Sequence, residues 1–267
     1  FAGQAVSLIL YFLCMLAARA SRVGPRSFAV LAGETLLGCA MGCVLLLPAG
    51  LSLLQNPRTI DPFNGYGYLL YGSPQQYGAI LYSAFLMPDA PYFKDLFQEG
   101  VLKHTSMTVY LPLVGVVGGV AFCRARRSHP FTYILKACVL CAFVPVLNSA
   151  FYALNSSYYA RWYYMPVLVL CGATACALSR PHLAERQVPR AWRLVALATA
   201  SPALCALAPN PDADGNFKLG VVDLQPRFWG IFAVSILGVL LFRLLWGRER
   251  NRRDWSRRLL AGVLAFS

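Results

Sequence analysis

The chain has 267 residues, of which 58% are hydrophobic and only 13% charged, with a mean hydropathy of +0.53 and a net charge of +13. An ordinary soluble domain carries nearly a quarter charged residues, so this composition excludes that class and points to a membrane protein. The basic excess does not imply a nucleic-acid partner, because most arginines lie within a few residues of an apolar run and none accompanies a nucleic-acid motif.

The first apolar run covers about 3–19. It has no basic stretch before it and no cleavage site with a mature domain after it, so it reads as an internal span and not a signal peptide. The chain lacks an initiator methionine and ends in another apolar run, Leu259 to Phe266. A fragment of a longer polytopic protein is therefore expected. Crossing ~30 Å of hydrocarbon takes about 20 apolar residues, and six further runs meet or approach that length: 28–54, 107–123, 131–153, 162–179, 192–208 and 228–246, with an eighth span beginning near 258. Lipid offers no partners to backbone amides, and these runs lack the alternation of a membrane barrel, so the expected fold is all-α. The whole of 1–267 reads as one transmembrane helix bundle of seven spans plus a truncated eighth.

Between the second and third runs lies a long connection, 55–106. Tyr77, Ile80, Leu81, Ala84 and Phe85 recur in it at helical spacing up to Pro88, and Tyr92, Phe93, Leu96 and Phe97 follow with acids interleaved. Two short amphipathic helices lying on the membrane surface are expected, either anchoring the loop or guiding a lipid-linked substrate. Alternate connections carry the arginines: Arg19, Arg22 and Arg26; Arg124, Arg126 and Arg127; Arg180, Arg186, Arg190 and Arg193; and a final run from Arg243 to Arg258, whose Arg248 to Arg258 part is the alternative place for anionic lipid contacts. The other connections hold Asp61, Asp89, Asp95, Glu99, Asp212, Asp214 and Asp223. The positive-inside rule then makes the arginine-rich loops cytoplasmic and the long 55–106 loop outer.

Within the spans, two charges depart from this pattern. Glu34 lies a couple of turns into the second run and Lys136 about as deep into the fourth. An ionisable group in lipid costs several kcal/mol (~2.5–3.5 at a helix centre) unless paired or hydrated, so a Glu34–Lys136 structural pair is expected, with snorkelling of Lys136 as the alternative. The nine cysteines lie in or at the edge of apolar runs, where a thiol acts as a small hydrophobe, and no metal site or cofactor is indicated. Gly115, Gly118 and Gly119 in the third run are small residues suited to close helix approach.

The end of the fourth run is the most informative stretch. Asn148, Ser149, Asn155, Ser156 and Ser157 gather where the helix reaches the outer headgroups, followed by Tyr158, Tyr159, Arg161, Trp162, Tyr163 and Tyr164. An aromatic belt with Arg161 snorkelling to phospholipid phosphates accounts for the rings. The amides and hydroxyls are expensive beside lipid and point instead to a hydrated pocket, with Arg161 at its rim offering a planar fork to phosphate oxygens.

The segments LNSAFYALNSSYYARWYYMP (147–166), LLPAGLSLLQNPR (46–58) and YGSPQQYGAILYSAFLMPDAP (71–91) together resemble the YfhO family of bacterial multi-pass membrane proteins, over roughly the second to the fifth span. That resemblance implies a GT-C type fold in the bacterial cytoplasmic membrane, with an active site on the outer face. It further implies transfer of a sugar from a polyprenyl-phosphate-linked donor to a cell-wall polymer such as lipoteichoic acid. Arg161 would then stabilise the phosphate leaving group, with Tyr158, Trp162, Asn148 and Asn155 shaping the pocket. The carboxylate base of such enzymes usually belongs to a loop after the first span, upstream of this chain, and none is assigned here. The alternative is a transporter or flippase for a lipid-linked or anionic substrate, in which Arg161 binds the cargo phosphate and Glu34 or Lys136 couples to protons; a structural membrane scaffold is the third.

Overall fold

The computed structural model describes residues 2–20, 24–54, 67–72, 74–87, 115–154, 160–211, 217–219 and 225–249. These are almost entirely helical: α1 (Ala2–Ala17), α2 (Pro25–Leu54), α3 (Pro74–Tyr82), α4 (Gly115–Ala125), α5 (Pro130–Phe143), α6 (Pro145–Ala150), α7 (Tyr164–Leu178), α8 (Pro181–Ala200), α9 (Pro202–Leu207) and α10 (Gln225–Glu249). A 3₁₀ turn, Arg161–Tyr163, leads into α7. A short antiparallel ladder joins β1 (Pro209–Pro211) to β2 (Phe217–Leu219), with Asn210 opposite Lys218.

Proline sets most of the helix starts. α2, α3, α5, α6, α8 and α9 all begin on one, where the fixed φ suits the first turn and the missing N–H is not needed. At α5 the cap is completed by His129, whose Nδ1 accepts the Phe131 N–H at 3.2 Å.

The same residue type shortens the expected spans. The run 131–153 is broken at Val144, which is extended (φ −113°, ψ 114°) because Pro145 disfavours the helical region for the residue before it. The run 192–208 starts earlier than expected, at Pro181, and is interrupted at Ser201 before Pro202. Among the described residues two helices are long and apolar enough on their own to cross a membrane, Pro25–Val44 of α2 and Gln225–Leu244 of α10. Gly3–Ala17, Gly115–Ala125 and Pro130–Phe143 are apolar but shorter. Within the long loop a helix, α3, forms over Pro74–Tyr82, with Ile80 and Tyr77 packed against the core that holds α5; the stretch expected to form the second loop helix and the expected eighth span lie outside the described residues.

α4 is the centre of the packing. Gly118 and Gly119 let α7 approach closely: a methyl added at Gly118 would fall on the Thr174 side chain, and one at Gly119 on Leu170. Thr174 Oγ1 donates to the Gly115 carbonyl at 2.8 Å, which fixes the register. On its other side Val116, Val117 and Ala121 pack with Val188, Ala191 and Val195 of α8 and Val239 and Phe242 of α10. A second core joins Cys14 of α1, Ile134, Cys138 and Cys141 of α5, and Trp162, Tyr163 and Met165 around the 3₁₀ turn.

The periphery is apolar. Leu36, Leu37, Met41 and Val44 of α2 and Leu168 of α7 are exposed, more large apolar side chains than a protein surrounded by water ordinarily presents. Of the described side chains of α2 only Ala32, Gly42 and Gly50 are partly covered. The expected Glu34–Lys136 pair is accordingly not formed: both side chains are exposed, and among the described residues no ion pair joins them. Lys136 instead holds its Nζ 5.8 Å from the centroid of the Tyr133 ring, one turn back.

Candidate functional site

The break at Val144–Pro145 creates the site. It turns α6 away from α5 and carries Asn148 and Ser149 into full burial, both 0% exposed. α6 then ends in a tight reversal in which the Leu154 N–H donates to the Ser149 carbonyl at 2.9 Å. Ala153 (φ 52°) and Leu154 (φ 60°) are both left-handed there. Side chains other than glycine adopt that conformation at a cost of about 1–2 kcal/mol each, and such strain concentrates at functional positions.

The segment that leads into α3 is stitched over the break. The Val146 N–H donates to the Tyr68 carbonyl at 3.0 Å, and the Tyr71 hydroxyl to the Ala142 carbonyl at 2.9 Å. The Tyr71 N–H in turn donates to the Tyr77 hydroxyl at 3.0 Å, and the two rings meet edge to face at 5.3 Å. Burial, with Tyr163 and Tyr77 close by, pushes the Tyr71 hydroxyl above its ordinary pKa, so it remains a proton donor and not a base.

Across the site, the Phe151 and Trp162 rings stack in parallel, 4.2 Å apart and 8° from coplanar. Tyr163 meets the indole edge-on at 4.9 Å. α1 closes the back: a methyl on Gly3 would lie 2.9 Å from the Phe151 carbonyl oxygen. Ser149 Oγ and Trp162 Nε1 are buried polar atoms with no hydrogen-bond partner among the described residues, an arrangement that leaves capacity for a bound polar group.

The expected set is thus divided by the fold. Trp162 and Asn148 are buried, at 1% and 0% exposure, whereas Arg161, beside Trp162, opens the 3₁₀ turn and is exposed. Arg161 makes no ion pair among the described residues. Asn155 and Tyr158 lie outside the described residues, as do Asp61, Asp89, Asp95 and Glu99. Comparison with known protein families, curated proteins and solved structures found no match. Among the described residues no group of three or more histidine, cysteine or acidic side chains could hold a metal ion.

Sequence reasoning missed two parts of this arrangement. The Phe151–Trp162 stack joins residues eleven apart across a turn, which no periodicity reports. The Tyr71 lock had a readable half, since Val144–Pro145 inside an apolar run marks a break whose freed carbonyls need donors.

Proposed function

We propose that the protein is a multi-pass membrane glycosyltransferase that transfers a sugar from a polyprenyl-phosphate-linked donor to a cell-wall polymer or another acceptor. In this reading the bundle has seven spans and sits in a bacterial cytoplasmic membrane, with the arginine-rich loops inside and the Asn148–Arg161 site at the outer face. The exposed leucines of the outer helices support the embedding. The observation that carries the activity is Arg161, an exposed cation with no ion pair among the described residues, one residue from a buried wall of Trp162, Phe151, Asn148 and Ser149.

The acceptor hydroxyl oxygen attacks the anomeric carbon, its proton passes to a base, and the bond from that carbon to the phosphate oxygen breaks. Polyprenyl phosphate leaves with added negative charge. A guanidinium donates two parallel hydrogen bonds to such a group, and its stabilisation is realised most fully as the charge develops. The base is assigned to no residue of this chain. The test is sugar transfer in membranes containing the full-length protein: Arg161→Ala should lower it by about a hundredfold, on the scale of losing one charge-stabilising donor. Unchanged transfer would remove Arg161 from the mechanism.

A transporter or flippase of a lipid-linked or anionic substrate is the second reading, favoured by the interruptions at Val144–Pro145 and Ser201–Pro202. Discontinuous helices of this kind form substrate sites in many transporters. Uptake of the polyprenyl-phosphate sugar into protected vesicle space, without transfer, would favour that reading over the enzyme.

A further inference from the structure

The α4–α5 turn and the α7–α8 turn meet at one corner of the bundle. Phe122 of α4 and Phe131 of α5 pack with Ala173 and Ala177 of α7, and His129 is close enough to both Arg126 and Arg180 for each to disfavour its protonation. Arg126 and Arg180 are exposed there. From this corner α8 extends with Arg186, Arg190 and Arg193 exposed, at a spacing that puts them on one face. Val188, Ala191 and Val195 are buried on the opposite face. Glu185 is the only acid between Gly115 and Ala208, and no ion pair neutralises these arginines among the described residues.

We propose that this basic ridge, Arg126 and Arg180 with Arg186, Arg190 and Arg193, binds the phosphate headgroups of anionic phospholipid. The chemistry is that of any phosphate, and what selects lipid is the surface that follows. Directly beyond Arg193 the exposed side of α8 and α9 turns apolar, with Leu194, Leu197 and Leu204 at 46%, 70% and 73% exposure. A lipid satisfies both halves at once, headgroup on the arginines and acyl chain on the leucines, whereas a soluble anion leaves the leucines uncovered. Trp192 holds the junction: its Nε1–H donates to the Val239 carbonyl at 2.9 Å, and the Arg243 guanidinium lies 5.5 Å from its ring centroid. The proposal rests on membrane embedding and is independent of sugar transfer.

Trp192 supplies the readout. The full chain is reconstituted into phosphatidylcholine vesicles doped with brominated phosphatidylglycerol or brominated phosphatidylcholine, and tryptophan quenching is followed, with Trp192→Phe isolating the Trp192 share. Brominated phosphatidylglycerol should quench at a mole fraction at least about fivefold lower, since even one arginine near an anionic surface contributes attraction of about that size. Arg186→Gln, Arg190→Gln and Arg193→Gln combined should bring the two lipids close to parity. The matching lysine variant keeps the charge and should retain most of the preference. Equal quenching by both lipids in the unaltered chain, or a preference that survives the glutamine substitutions, overturns the proposal. Loss of the preference in millimolar inorganic phosphate overturns it in favour of a soluble anion, and absence of quenching by either lipid overturns the membrane embedding as well.

Discussion

Replacing Phe151 and Trp162 by leucine, singly and together, tests whether their stack holds the rim of the site. Both rings are almost fully buried, at 2% and 1% exposure, and they lie 4.2 Å apart at an interplanar angle of 8°. Leucine keeps much of the apolar volume of phenylalanine, so Phe151→Leu should destabilise by about 1–2 kcal/mol, while Trp162→Leu removes more volume and should cost about 2–4 kcal/mol. The part that belongs to the pair is the ring–ring interaction, worth about 0.5–1.5 kcal/mol beyond buried area. The double variant should therefore be less destabilised than the sum of the singles by that amount, a two- to thirteen-fold difference in the unfolding equilibrium. Equilibrium unfolding in mild detergent, followed by helical circular dichroism, measures all four proteins without relying on tryptophan emission. Additivity to within about 0.3 kcal/mol would mean that the rings are neighbours without coupling, and the stack would no longer explain how Arg161 is positioned.

Gly118→Ala should destabilise by about 1–3 kcal/mol, because its methyl would fall on the Thr174 side chain; a thermal melt should show the loss, and Gly118→Ala combined with Thr174→Ser should recover part of it. Ala153→Gly should stabilise by about 1 kcal/mol in the same measurement, since glycine adopts φ 52° without a side-chain clash. His129 has its pKa lowered from 6.5 by burial first, then by Arg180 and Arg126. Below 6.5 the unfolded chain therefore takes up the proton more readily than the folded one, and the stability present above 6.5 is lost as pH falls through the folded value. Protonation at Nδ1 also ends the cap to Phe131. Melts between pH 7.5 and pH 5 should show this loss in the unaltered chain and a flatter profile in His129→Asn, which caps without titrating.

The helical character was legible in the long apolar runs, which lack the alternation of strands. The helix ends were legible in part: Pro130, Pro181 and Pro202 sit where proline starts a helix, but the continuous hydropathy of 131–153 concealed the break at Val144. Hydropathy averages over the very residue that interrupts the hydrogen bonding. Gly118 and Gly119 signalled close approach, although Thr174 and Leu170 as their partners depend on how the helices pack. The Glu34–Lys136 pair failed for a related reason: depth along two helices says nothing about whether those helices turn the same faces to each other. At the site, Asn148 and Arg161 stood out as residues too polar for their surroundings. The division between a buried Trp162 and an exposed Arg161 is set by the 3₁₀ turn, which three residues of sequence do not announce.

We propose above that Arg161, which is exposed, binds a lipid-linked phosphate. Binding of a polyprenyl-phosphate sugar to the full-length protein, compared for the unaltered chain, Arg161→Lys and Arg161→Ala, addresses it most directly. Affinity should fall in the order arginine, lysine, alanine, with about a tenfold or greater loss at alanine and no change in the thermal melt, since the side chain is exposed. Equal affinity in all three proteins would contradict it.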